Sequence, residues 1–272
     1  MAVLFGRSRR PSLIDHLRIL TCYGELLVSL SLRDVKIRYK QSFFGIVWAV
    51  LQPFMLMVVF SVVFSLFVRV KTPGEPYAVF SYVALVPWTY FSRGLTNGVM
   101  SLIANSVLVT KIYFPRELFP LAALLSGFID FAVSALIFIG MLAFFHSGVG
   151  FAVLWTPLIV VVQMALMLGL MLLLSAANVF YRDVYQTVPF LLQLWLYITP
   201  VIYPLSLVPA RFHLLFALNP MSGIIDAYRR AILQDMGPDP RLFAYAAAVS
   251  LVLLVLGYAF FKKVELRFAD VI

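Results

Sequence analysis

Residues 46–68 read IVWAVLQPFMLMVVFSVVFSLFV, 23 positions without a charged side chain. A helix needs about 20 apolar residues to cross a hydrocarbon core about 30 Å thick, so this run is long enough to span a bilayer. Working outward, similar runs recur at 77–104, 118–145, 151–180 and 243–261. A sixth, 188–203, has only 16 residues. At ~1.5 Å per residue it reaches about 24 Å, which is marginal. Counting it predicts six transmembrane helices with both termini on one side.

Composition agrees. Of the 272 residues, 63% are hydrophobic and 12% charged, with mean hydropathy +0.99. A soluble domain carries about 25% charged residues, so this chain has too little polar surface to cover a water-soluble core. The expected fold is an all-α membrane protein, a single domain over 1–272. It divides into an interfacial helix region at 13–44, a six-span bundle at 46–261 and a tail at 262–272. The net charge of +9 does not point to nucleic acid, because the basic residues sit in short segments between apolar runs. Fourteen Lys and Arg fall on the side of the termini, against six in the opposite loops. The richer side is expected to be cytoplasmic. The N-terminal MAVLFGRSRRPS is too short in its apolar opening for a cleavable signal peptide. Cys22, alone, forms no internal disulfide.

Ahead of the first span, GELLVSLSLRDVKIRYKQ places Val28, Leu32, Val35 and Tyr39 on one stripe, beside Arg33, Lys36, Arg38 and Lys40. A basic amphipathic helix of this kind is expected to lie in the headgroup plane, as an anchor or at the substrate's way in. No GxxxxGK[ST] loop is present to cradle ATP phosphates. His16, His146 and His213 lie apart from one another, so no metal site is expected. Catalysis by this chain alone is therefore not expected. A channel or transporter subunit fits better.

Only Arg93 and Asp130 lie well inside spans, where charge is costly and needs a partner or a function. Arg93, Asn97, Ser101 and Asn105 give the second span a polar edge, and Ser126, Asp130 and Ser134 do the same on the third. The two edges could line a conduit or hydrogen-bond to each other, and neighbouring antiparallel helices favour the second. Each charge lies twelve residues from the inner end of its span, about 18 Å deep. An Arg93–Asp130 ion pair is the expectation.

Three stretches carry a family likeness. LRDVKIRYKQSFFGIVWAVLQP leads the basic helix directly into the first span. VTKIYFPRELFP joins spans two and three. FYRDVYQTVPFLLQLWLYITPVIYP is followed by LNPMSGIIDAYRRAIL. From about residue 25 to the C-terminus the chain resembles the membrane subunit of type-two ABC transporters that export polysaccharide, the permeases for O-antigen, capsule and teichoic-acid chains. The resemblance implies a homodimer in the bacterial cytoplasmic membrane, working with two copies of a separate ATP-binding subunit that holds ATP and Mg. It implies that a lipid-linked polysaccharide moves outward between the two permeases. Thr110, Lys111, Ile112, Tyr113, Phe114, Pro115, Arg116 and Glu117 correspond to a coupling helix that docks into the ATPase. Residues 204–235 resemble short re-entrant helices at the outer end, with Asn219, Pro220, Tyr228 and Arg229 at an outer gate.

Sugars present apolar C–H faces to aromatic plates and hydroxyls to polar partners. On the fifth span Gln186, Phe190, Gln193 and Tyr197 form one stripe mixing amides and rings, with Trp195 nearby, and Trp48 and Gln52 make a similar pair on the first. These are the expected substrate path. A type-two exporter of a small lipid or drug remains an alternative. A proton-coupled flippase, for which only Asp130 offers a titratable group, is less favoured. So is a membrane transferase, for which no acidic or histidine catalytic set exists. O-antigen and teichoic-acid permeases share these motifs, so the sugar stays open.

Overall fold

The computed structural model describes residues 23–40, 42–67, 76–111, 114–145, 148, 150–204, 209, 211 and 213–271. The start of the expected interfacial region, with Cys22, lies outside the described residues, as do Ile112 and Tyr113. Every regular element among the described residues is helical. They are α1 (Gly24–Tyr39), α2 (Val47–Phe60, continued by a π-helical stretch Ser61–Phe67), α3 (Tyr77–Ala104), α4 (Ser106–Lys111) and α5 (Leu118–Phe144). After them come α6 (Thr156–Phe180, preceded by a 3-10 turn Phe151–Trp155), α7 (Asp183–Ile198), α8 (His213–Leu218), α9 (Pro220–Leu233), α10 (Pro240–Val264) and α11 (Phe268–Val271). The end of the bundle where α3 stops and α5 starts is called the lower end below.

Local chemistry explains several boundaries. Gly45 has φ +51°, a left-handed conformation that lets the chain turn between α1 and α2 without Cβ strain. The Asp239 carboxylate accepts from the Arg241 and Leu242 backbone N–H groups and so caps α10, with Pro240 at the first helical position. Those bonds, from Leu242 first, hold its carboxyl below the usual carboxylate range.

Four segments are both long and apolar enough to cross a membrane: Val47–Ser65, Leu118–Phe144, Phe151–Phe180 and Pro240–Arg267. The two other expected spans fall short for different reasons. Helix α3 has 28 residues, ample in length, but its polar edge lowers its apolarity. It is also the most enclosed helix, with Val79, Tyr82, Leu85, Phe91, Val99 and Leu102 almost wholly buried. A helix shielded by its neighbours does not need a lipid-facing surface. Helix α7 has 16 residues and stops at Pro200.

The bundle closes around α3 through buried polar clasps. Gln163 on α6 donates to the Pro87 carbonyl and accepts from the Tyr228 hydroxyl on α9, at 2.8 and 3.0 Å. Asn178 donates to the Val99 carbonyl and accepts from the Tyr185 backbone N–H. Helices α6 and α10 meet closely at Gly169 and Gly257. A Cβ on Gly169 would sit 2.5 Å from the Leu254 nitrogen, and one on Gly257 would overlap the Gly169 carbonyl. Small residues let helix backbones approach, and a side chain there forces them apart. Gly257→Val is expected to cost about 1–3 kcal/mol, read as a lowered thermal midpoint of the purified protein. An unchanged midpoint would show that the helix pair tolerates separation.

Helix α1 departs from its expected orientation. The stripe Val28, Leu32 is exposed, whereas Leu30 and Ser31 are buried and Arg38 turns inward. Leu30 shares a core cluster with Leu118, Phe119 and Ala122 near the start of α5, while Arg38, eight residues on, reaches Ser126 and Asp130. Eight residues of α1 rise about 12 Å, matching the climb along α5. The helix therefore ascends beside α5 and does not lie across its end. Val28, Leu32 and Lys36 face outward, while Leu30, Arg38 and Tyr39 face the bundle.

Candidate functional site

The ascent of α1 builds a polar cleft against α3. Asp130 on α5 accepts from the Arg38 guanidinium and, at 2.8 Å, from the Tyr39 hydroxyl. Arg38 also donates to Ser126 at 3.1 Å. Ser134, one turn beyond Asp130, donates to the Ala49 carbonyl and ties α5 to the start of α2. The expected Arg93–Asp130 ion pair is thus replaced by Arg38–Asp130. The depth match holds, since Arg93 and Asp130 border the same small recess. The carboxylate is already occupied, however, by two groups on a helix expected to stay in the headgroup plane. Among the described residues, Arg93 has no carboxylate within ion-pair distance. It lines an open cleft of about 300 Å³ together with Arg38, Tyr39, Trp48 and Asn97.

Of the other basic residues on α1, Arg33 pairs with Asp34 at 2.9 Å and donates to Asn105 at 2.6 Å. Lys36 and Lys40 are exposed. Beyond Gly45, Trp48 is exposed and meets Phe44 edge to face, which meets Phe43 in turn. Gln52 is exposed one turn after Trp48.

Helix α7 has two unlike faces. Val188 and Leu192 are buried on one. Gln186, Phe190, Gln193 and Tyr197 are all exposed on the other, and no element among the described residues covers them. Trp195, expected beside them on the path, belongs to the packed side. Its indole N–H donates to Asn219 at 2.9 Å and its ring stands edge-on against Phe91. The reason is geometric. Trp195 lies two residues from both Gln193 and Tyr197, and a two-residue step turns a side chain to the far side of a helix.

Where α7 ends, the chain runs irregularly through Thr199–Tyr203, and its carbonyls are gathered by side chains from elsewhere. Arg229 on α9 donates to the Pro200 and Val201 carbonyls at 2.5 and 2.6 Å and more weakly to that of Tyr203. The Tyr77 hydroxyl takes the Ile202 carbonyl. The guanidinium lies 3.8 Å from the Phe80 ring centroid. Asn219 caps α9, accepts from Trp195 and donates to Thr199. Asn219, Pro220, Tyr228 and Arg229 are all buried and present no open surface. Asn219 and Arg229 form a collar that fixes the turn, while Tyr228 bonds Gln163.

Residues 25–233 match the ABC-2 type transporter family. The chain belongs to that family. It is 32% identical over 260 residues, 95% of its own length and 99% of the relative's, to the O-antigen export system permease protein RfbA of Myxococcus xanthus. It is 28% identical over 249 residues to the protein of the same name from Klebsiella pneumoniae, covering 91% and 95% of the two chains. The Polysialic acid transport protein KpsM of Escherichia coli is 24% identical over 246 residues, 87% of this chain and 92% of that one.

In this ABC-2 chain the lower connection is bound to the C-terminal segment. Thr110 and Lys111 end α4 in exposed positions. Phe114, expected in the coupling segment, packs half-buried on Phe119 with ring centroids 5.3 Å apart. Glu117 is buried and accepts from Lys262 at 2.8 Å, and Lys262 also reaches Glu265. Arg116 donates to the Glu265 carbonyl and lies over the Phe268 ring. Pro115 is half-buried between these contacts. In the sequence Lys262 counts only among the fourteen basic residues of the terminal side, and Glu265 is not singled out. Their signal is a Lys and a Glu three residues apart at the end of an apolar helix.

Proposed function

We propose that this chain is the channel-forming membrane subunit of an ATP-driven exporter of lipid-linked polysaccharide. In this reading two copies meet in the bacterial inner membrane, each with six spans formed by α2, α3, α5, α6, α7 and α10 and with both termini cytoplasmic. Helices α8 and α9 are re-entrant elements at the outer end. The chain itself is not an enzyme. ATP and Mg are bound by a separate ATP-binding subunit, two copies per complex, that docks on the Thr110–Glu117 connection. The full-length likeness to O-antigen and polysialic-acid transport proteins supports polysaccharide as cargo.

The observation that carries the reading is the uncovered face of α7. A helix buried on Val188 and Leu192 and open on Gln186, Phe190, Gln193 and Tyr197 offers amides for hydroxyls and rings for apolar sugar faces. Trp48 and Gln52 on α2 supply a second wall of the same kind. A polymer slides along such surfaces without a tight binding site.

Cysteines at positions 193 and 197, in a Cys22→Ser background, are expected to react with a membrane-impermeant maleimide in at least one nucleotide state of the reconstituted complex. Tyr197→Ala is expected to slow glycan export several-fold at unchanged protein level. Protection of both cysteines in every nucleotide state would remove the channel-wall role.

A further inference from the structure

We propose that the cleft between α1 and α3 is an anion site that holds the phosphate-bearing headgroup of the lipid-linked cargo, with Arg93 as its principal ligand and Arg38 as its second. The proposal rests on the exporter reading above and adds where the cargo's charged end is held.

Among the described residues Arg93 has no ion-pair partner. It sits eleven residues from the lower end of α3, about 17 Å along the helix. A cation at such a level is expensive unless it has a partner or faces a polar cavity. Asp130, the carboxylate at matching depth, is committed to Arg38 and Tyr39. Arg93 instead opens on the 300 Å³ cleft. That volume is at the small end of ligand sites, suited to a headgroup and not to a polymer.

The lining fits phosphate better than carboxylate or sugar alone. A guanidinium carries five N–H donors in a planar fork. Arg38 spends two of its nitrogens on Asp130 and Ser126, which leaves its remaining donors for the cleft. Among the described residues no acceptor takes up the Arg93 donors, and the Asn97 amide adds a further donor on the same helix face. Two guanidinium forks lining one cavity suit a diphosphate, whose two phosphoryl groups can engage both forks, better than a single phosphodiester. The Asp130 charge does not repel such a ligand strongly, because Arg38 and Tyr39 cover it.

The surroundings supply a place for the lipid. Phe43, Phe44 and Trp48 form an exposed edge-to-face series at the turn between α1 and α2, with Phe43 95% exposed. Trp48 belongs to both that series and the cleft. A phosphate bound between Arg93 and Arg38 would therefore have an apolar aromatic flank for its hydrocarbon chain. It would also have Trp48 as a plate for the sugar next to the phosphate.

The test is equilibrium binding of a labelled long-chain polyprenyl diphosphate to the full-length protein in phosphatidylcholine nanodiscs. Phosphatidylglycerol and inorganic pyrophosphate serve as competitors. Saturable binding is expected, weakened at least tenfold by Arg93→Gln and less by Arg93→Lys, with the thermal midpoint unchanged because Arg93 has no internal ion pair to lose. Both competitors are expected to be at least tenfold weaker than the polyprenyl diphosphate. Equal binding by Arg93→Gln would overturn the site. Equal competition by phosphatidylglycerol would reduce it to a general anionic-headgroup contact and overturn the cargo assignment. Equal competition by inorganic pyrophosphate would overturn the lipid component. A drop in thermal midpoint parallel to the loss of binding would make Arg93 structural and overturn its role as a ligand. If the complex exports glycan but Arg93→Gln neither binds nor exports differently, the site fails and the exporter reading stands. If binding depends on Arg93 but no glycan is exported, the site stands and the exporter reading fails.

Discussion

Asp130→Asn is expected to remove about 3 kcal/mol of stability and to leave little folded protein in the membrane. Asp130 keeps 11% of its side-chain exposure and Arg38 26%, so neither charge is well hydrated. Removing one partner of a buried pair strands the other at about 3–5 kcal/mol, and the residual exposure of Arg38 places this pair at the lower end. The Tyr39 hydroxyl also exchanges a charged acceptor for a neutral one. Arg38→Gln is expected to behave like Asp130→Asn, and the Arg38→Gln/Asp130→Asn double variant to recover much of the loss. The measurement is the yield of monodisperse protein and its thermal midpoint for the four members of the cycle. Strictly additive losses would show that the two side chains do not support each other. The companion cycle of Arg93→Gln with Asp130→Asn is expected to be close to additive, because no ion pair joins them.

The difference between those two cycles shows where the sequence was informative and where it stopped. Depth along α3 and α5 was readable, since helix rise per residue is constant and both spans had clear inner ends. That argument set Arg93 and Asp130 at one level, and they do share a recess. Partner choice was not readable, because it depended on the path of α1. The apolar stripe Val28, Leu32 suggested a helix lying flat on lipid. The structure splits the stripe: Val28 and Leu32 face outward, while Tyr39, two turns on, reaches Asp130 together with Arg38 as the helix climbs beside α5. Periodicity identifies the stripe and cannot say which neighbour it faces.

A similar limit applies to the span count. The run at 77–104 is long enough for a span, yet α3 is a largely buried helix whose polar edge, with Arg93 and Asn97 on the cleft, lowers its apolarity. The brevity of the run at 188–203 was visible as 16 residues ending in Pro200 and Pro204. On α7, spacing separated Gln186, Phe190, Gln193 and Tyr197 from the buried Val188 and Leu192. Trp195 was grouped with the stripe for its chemistry, against its spacing, and the Asn219 contact claims it. Asn219 itself announced a helix start by preceding Pro220, a pattern the capping bond explains. The likeness puts Glu117 in a segment that docks a partner, but its carboxylate is buried because Lys262 returns to it from 145 residues away. No local pattern reports a contact of that separation.

Arg229→Met is expected to have the largest effect among single substitutions at the upper end, about 3–5 kcal/mol. The chain leaves helical geometry at Thr199 and exposes successive carbonyls where Pro200 and Pro204 prevent the helix from continuing. Irregular backbone inside a membrane protein persists only where protein or enclosed water satisfies its polar groups. Arg229, 6% exposed, supplies that satisfaction to the Pro200, Val201 and Tyr203 carbonyls, and Tyr77 to that of Ile202. The positive charge also faces the negative end of the α7 dipole. Hydrogen bonds from a charged donor are worth about 1.5–3 kcal/mol each, so losing two strong ones accounts for the expected magnitude. Methionine fills a similar volume, so the loss reports the bonds more than a cavity. Lysine retains the charge but lacks the planar fork, and Arg229→Lys is expected to recover less than half of the loss. Tyr77→Phe, which frees one carbonyl, is expected to cost about 1 kcal/mol. The thermal midpoint gives the energies, and a cysteine at Val201, now fully buried, reports the local geometry. In a Cys22→Ser background that cysteine is expected to resist a membrane-impermeant maleimide in the otherwise unaltered protein and to label in the Arg229→Met variant. A midpoint unchanged within about 1 °C, roughly a few tenths of a kcal/mol, together with continued protection of position 201, would show that the collar holds without its arginine.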